Sequence, residues 1–110
     1  MRILLSKIKT ALLTVTNSVR KFDGTGMVCP YIVWSEDGSA GSVHASNRMQ
    51  EQTATGTIDL YTKLDSDPLF SAIQNALNDA EISFRWESTQ YEPLTKIIHH
   101  EFVFEVAQGV

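Results

Sequence analysis

Apolar residues recur at Leu4, Ile8, Ala11, Leu12, Val15 and Val19, and these spacings of three and four predict an amphipathic helix over about 2–19. The β-branched Thr14, Val15 and Thr16 weaken its end. A short strand around Val19 to Phe22 can follow, before Gly24 and Gly26 mark a turn. Past that turn, residues 30–36 read as a strand, with Tyr31 and Val33 on one face and Ile32 and Trp34 on the other. Residues 53–64 alternate in the same way. Ile58, Leu60, Thr62 and Leu64 make one row, Thr57, Asp59, Tyr61 and Lys63 the other, and this strand should pair with the first. Between the two lies a polar, small-residue stretch, 36–52, long for a connection within a compact domain. It predicts either a mobile functional loop or an extended hairpin arm.

Asp67-Pro68 supplies a helix start of the expected chemistry. The aspartate caps exposed amides, and proline at the first helical position loses no needed hydrogen bond. Leu69, Phe70, Ile73, Ala76, Leu77 and Ala80 continue as an apolar stripe, so a helix is predicted over about 68–80. Ile82, Phe84 and Trp86 alternate with Ser83, Arg85 and Glu87 in a strand placed over about 82–91, and Ser88 to Leu94 leads through Pro93 to the last element. That element, 95–106, carries the His99-His100 pair. Lys96, Ile98, His100, Phe102, Phe104 and Val106 share one face and Thr95, Ile97, His99, Glu101, Val103 and Glu105 the other. The two imidazoles therefore diverge, one expected near the core margin and the other exposed. The element order predicts a single domain over 1–110 of the α+β class: a two-layer sandwich of a mainly antiparallel four- to five-stranded sheet with two helices on one face.

Charge and composition narrow the functions. The net charge is −4, yet Arg2, Lys7, Lys9, Arg20 and Lys21 all precede the first acid, Asp23. A basic N-terminal segment invites contact with nucleic acid. Its charges are spread along a helix that needs a polar face, however, and the acidic remainder repels phosphate. No run of about 18 apolar residues exists for a membrane span, and Lys7 and Lys9 interrupt the first apolar cluster in a way a secretory signal does not. The single Cys29 has no partner for an internal disulfide and fits a reducing compartment.

No catalytic pattern emerges. A phosphate-cradling Gly-x4-Gly-Lys-Ser/Thr motif and a Gly-x-Ser-x-Gly elbow are both missing. Three histidines and one cysteine show no zinc-ligand spacing. The carboxylates follow no spacing that assigns acid and base roles. The expectation is a protein that is not an enzyme, without cofactor or metal.

The order of the pieces carries a resemblance. Pro30-Tyr31-Ile32-Val33-Trp34, then Asp59-Leu60-Tyr61-Thr62 followed by the Asp65-x-Asp67-Pro68 helix start, then Tyr91-Glu92 leading to His99-His100-Glu101-Phe102-Val103-Phe104-Glu105-Val106, together resemble the small tail-terminator or tail-completion proteins of long-tailed bacteriophages and prophages. The resemblance spans about residues 1–106 and its motifs are mostly structural. It implies a virion protein that assembles as a ring, commonly a hexamer, at the head-proximal end of the tail tube. Its implied partners are copies of itself, the tail-tube protein and the head connector protein, with DNA only passing through the lumen. The implied location is the virion tail, and the host cytoplasm during assembly.

A closed ring needs two different surfaces on each subunit. Strands with apolar residues on both faces offer more apolar surface than two helices on one side can cover, so Tyr61, Ile97 and Val103 are expected near an oligomer or partner surface. His44, Arg48 and Met49, in the 36–52 stretch, are candidates for a partner-facing segment. Two alternatives remain: another head-tail joining or minor tail component, and a small-ligand-binding enzyme. The second requires a pocket that gathers several of His44, His99, Asp59 and Arg85.

Overall fold

A computed structural model describes residues 2–39 and 52–108. Two helices, α1 (Arg2–Leu13) and α2 (Pro68–Asp79), accompany five strands, β1 (Val19–Lys21), β2 (Tyr31–Ser39), β3 (Gln52–Thr62), β4 (Ser83–Glu92) and β5 (Ile97–Gln108). The strands form one mixed sheet in the order β1-β2-β3-β5-β4. Only the short β1 is parallel to its neighbour; β2 with β3, β3 with β5, and β4 with β5 are antiparallel. The fold is the predicted α+β sheet with helices packed against it.

Helix α1 stops at Leu13, six residues before the reach of its apolar stripe. The Thr14 hydroxyl donates to the Ala11 carbonyl at 2.6 Å and takes an acceptor from the helix ladder. The amides of Thr14 and Val15 bond to the carbonyls three residues back, a tightened last turn. Val15 and Val19 still pack against the core, but from the turn and from β1. A helical spacing was thus satisfied by two different backbones.

The second helix starts as its chemistry dictates. Asp67 accepts from the Leu69 amide at 2.9 Å through Oδ1 and from the Thr62 hydroxyl at 2.6 Å through Oδ2. Since Asp67 and Thr62 are both buried, this bond ties the end of β3 to the start of α2. β3 ends at Thr62, so Leu64 is exposed in the connection and not on the core row.

Both helices cover one sheet face. Ile8, Leu12, Ile32, Ile58, Leu60, Ile73, Leu77 and Phe102 lose all solvent contact, and burying each such side chain contributes about 1.5–3 kcal/mol. Gly56 permits the close approach of β2 to β3: a Cβ there would collide with the Ser35 carbonyl oxygen and the Phe104 ring.

Two bulges alter the predicted strands. In β4 one extra residue, Glu87, sits between the Trp86–Phe102 and Ser88–Glu101 pairs. The strand therefore continues through residues 88–92, and Thr89 and Tyr91 join Phe84 and Trp86 on the helix side. The β4–β5 connection shrinks to residues 93–96, and β5 begins at Ile97 with Lys96 at φ 64° in the turn. In β2 the extra residue is Asp37, which accepts from the Thr55 hydroxyl at 2.8 Å. Residues 36–39 consequently belong to β2 and not to a loop. His44, Arg48 and Met49 lie outside the described residues.

Candidate functional site

The helix-free face of the sheet gathers the most distinctive side chains. Register brings Tyr31 of β2 opposite Tyr61 of β3, and Tyr61 opposite His99 of β5. Their rings stack in sequence. Tyr31 and Tyr61 have centroids 4.9 Å apart with planes inclined by 20°, and Tyr61 and His99 are 4.4 Å apart at 15°. Such offset stacks contribute about 0.5–1.5 kcal/mol beyond area burial. They also fix the imidazole plane.

His99 Nε2 lies 2.7 Å from Asp59 Oδ1. An ionised carboxylate only accepts, so the imidazole N–H donates. With side chains 26% and 18% exposed, both partners are largely withdrawn from water. His99 is thus held by a carboxylate and a ring, where the sequence reading left one of the two histidines exposed. Burial pushes the Tyr61 phenol above its ordinary pKa, helped by the nearby charges of Asp59, Tyr31 and Glu101. Tyr31 moves the same way, through burial and then Cys29. Both phenols stay protonated near neutrality and can donate hydrogen bonds.

His100 points to the helix side, as alternation requires. Its ring centroid is 4.6 Å from that of Phe70, and Nδ1 lies 2.8 Å from the Thr89 hydroxyl, which also accepts from Trp86 Nε1 at 3.0 Å. Burial lowers its pKa, and the His99 charge adds to the effect while Asp67 opposes it.

Tyr61, Ile97 and Val103 all fall on the helix-free face and are half-buried. A shallow depression of about 310 Å³ runs between Tyr31, Tyr61, His99, Ile97, Gln90 and Tyr91. Of the four residues an enzyme site would need, Asp59 and His99 meet. Arg85 is opposite Val103, four positions along β5 from His99, or about 13 Å at strand spacing, and pairs with Glu87 at 3.1 Å. His44 is outside the described residues. Among the described residues no cluster of three or more His, Cys, Asp or Glu side chains could hold a metal ion, and no helix is long and apolar enough to cross a membrane.

Tyr31 was missed as a site residue, and so was the Trp86–Thr89–His100 chain. Both depend on cross-strand register, and the second also on the Glu87 bulge. The signal for Tyr31 lay in its place beside Val33 on the outward row.

No family profile matches the chain, and no curated protein sequence matches it. Among solved structures, it is similar to a chain in the virion of a native gene transfer agent particle. The TM-score is 0.58 at 12% identity, over 94% of this chain and 90% of that one. At that identity the likeness is one of fold.

Proposed function

We propose that this protein is a structural component of a phage or prophage virion, a tail terminator or completion protein that forms a ring at the head-proximal end of the tail tube and joins tail to head. One observation carries the reading: the fold follows a chain of a gene transfer agent virion over nearly the full length of both. The order of sequence motifs that resembles tail terminators supports the finer role. In this reading the copies number six, as is common in that group, and DNA only traverses the ring.

The helix-free face, with Tyr61, Ile97 and Val103, is the surface that meets other subunits or the tube and connector proteins. Half-buried apolar and aromatic side chains on an otherwise open sheet suit an interface that forms after folding. His44, Arg48 and Met49 remain candidates for a partner-facing segment. The separation of Arg85 from the Asp59–His99 pair weighs against the ligand-binding enzyme.

Electron microscopy of tails assembled with and without the protein tests the role. Tubes of uncontrolled length in its absence support termination. Tubes of normal length that fail to join heads favour the head-tail joining alternative. Normal, joined particles would overturn both.

A further inference from the structure

On the helix side of the sheet the Glu87 bulge sets Thr89 opposite His100, and three side chains there form a hydrogen-bonded chain that ends at the surface. The Trp86 indole Nε1–H donates to the Thr89 hydroxyl at 3.0 Å, and that hydroxyl lies 2.8 Å from His100 Nδ1. The Phe70 ring of α2 closes the group, with its centroid 4.6 Å from His100 and 6.5 Å from Trp86. His100 is half-buried, while Trp86 is 53% exposed. The hydrogen bond to Thr89 and the edge contact with Phe70 together fix the place of an indole that solvent reaches.

The direction of each bond depends on one proton. An indole N–H only donates, so the Thr89 oxygen is the acceptor from Trp86. Its own O–H then donates to Nδ1 of a neutral imidazole that carries its proton on Nε2. Each bond polarises the next, and the two strengthen together. An imidazolium has a proton on both nitrogens. Nδ1 then donates, the Thr89 hydroxyl proton turns away, and the Thr89 oxygen must accept from Trp86 and His100 at once. The positive ring also repels the positive end of the indole N–H.

We propose that this chain of bonds is a proton-operated latch: protonation of His100 reverses the Thr89 hydroxyl and loosens Trp86 from its fixed place at the edge of the sheet. The latch is closed near neutral pH. Burial favours the neutral ring, as does the charge of His99 on the opposite face of β5, whereas Asp67 at the start of α2 favours the imidazolium. The other packed elements face His100 with Leu60 of β3, in register with it, and with Thr89, Trp86 and Tyr91 on the helix side of β4. Opening therefore falls below the ordinary histidine value of 6.5. Since β4 is the last strand of the sheet, the state of a half-buried histidine is read out at an outer edge. The device does not depend on the ring reading and can fail or stand without it.

Proton–nitrogen correlation spectra of the full chain, taken from about pH 7.5 to about pH 5, test the latch. The chain has two tryptophans, and Trp86→Phe assigns their indole resonances. A weakened hydrogen bond moves an indole proton upfield. The Trp86 resonance is expected to shift upfield as the pH falls, with the midpoint of the His100 ring protons, while that of Trp34 stays in place. His100→Gln offers Thr89 an amide that does not titrate, so its Trp86 resonance should be flat. Thr89→Val removes the shared oxygen: Trp86 should start upfield at neutral pH and stay there while His100 still titrates. Spectral dispersion reports the fold of each variant, and Thr89→Val alone decides if His100→Gln does not fold. The inference is overturned by a wild-type Trp86 resonance that stays still while His100 titrates, by a Trp86 shift that persists in either variant, or by a His100 that remains neutral until the chain unfolds.

Discussion

His99 Nε2 donates to Asp59 Oδ1 across 2.7 Å, joining residues 40 positions apart on adjacent strands. The bond spans the centre of the helix-free face, and the Tyr61 ring stacks on the same imidazole. Asp59→Ala removes the acceptor from a donor that is only 26% exposed. The expected loss is about 1–3 kcal/mol of unfolding free energy, with Asp59→Asn losing less because its amide oxygen still accepts. Equilibrium urea unfolding measures both, and equal effects of the two variants would show that the negative charge of the Asp59 carboxylate, not its accepting oxygen alone, holds His99.

A methyl group at residue 56 has no room. Gly56→Ala would push on the Ser35 carbonyl and on the Phe104 ring, and overpacking of this kind costs about 1–3 kcal/mol. Thermal unfolding should show a clearly lower midpoint. A midpoint equal to wild type would mean that β2 and β3 separate freely at this point.

Thr62 and Asp67 should prove energetically coupled. Asp67→Ala removes the α2 cap, worth about 0.5–2 kcal/mol, and leaves the buried Thr62 hydroxyl without its acceptor, a further penalty of about 1–3 kcal/mol. Thr62→Val in the same chain relieves the second part. A double-mutant cycle is therefore expected to show a coupling of at least about 0.5 kcal/mol; simple additivity would contradict the buried bond.

Acidification should act through His100. Its pKa is lowered in the folded chain from the ordinary 6.5, chiefly by burial, so below that value the unfolded chain takes up a proton that the folded chain refuses. The stability His100 contributes is fully present above 6.5 and is lost as the pH falls through the lowered folded value. His100→Gln removes this titration. Unfolding free energies measured from pH 7 down to about pH 5 should fall more steeply for wild type than for the variant, and parallel profiles would refute the assignment.

The legible parts of the fold were those written in local chemistry. Asp67-Pro68 announces α2 because capping is decided within three residues, and the alternation of Phe102, Phe104 and Val106 announces the core face of β5. Strand pairing itself is not local. Nothing near Tyr31 in sequence says that it will meet Tyr61, or that Tyr61 will meet His99, since each stack is set by register between strands far apart in the chain. The extra residues at Asp37 and Glu87 were equally hidden, because a bulge keeps the composition of a strand while shifting its phase. At Leu13 the apolar spacing pointed past the true helix end: Val15 and Val19 face the same core from a turn and a strand. Of the candidate surface, Tyr61, Ile97 and Val103 could be assigned a shared face by parity alone.

The central claim is that copies of this chain close a ring where the tail tube meets the head. A reconstruction of the intact particle that resolves subunits at the neck tests it most directly. The expected result is this fold, traced by its five-stranded sheet and two helices, repeated around a closed ring between the last tube layer and the connector. Density for the chain in the head shell or at the distal tail tip, or a particle without the chain at the neck, would contradict it.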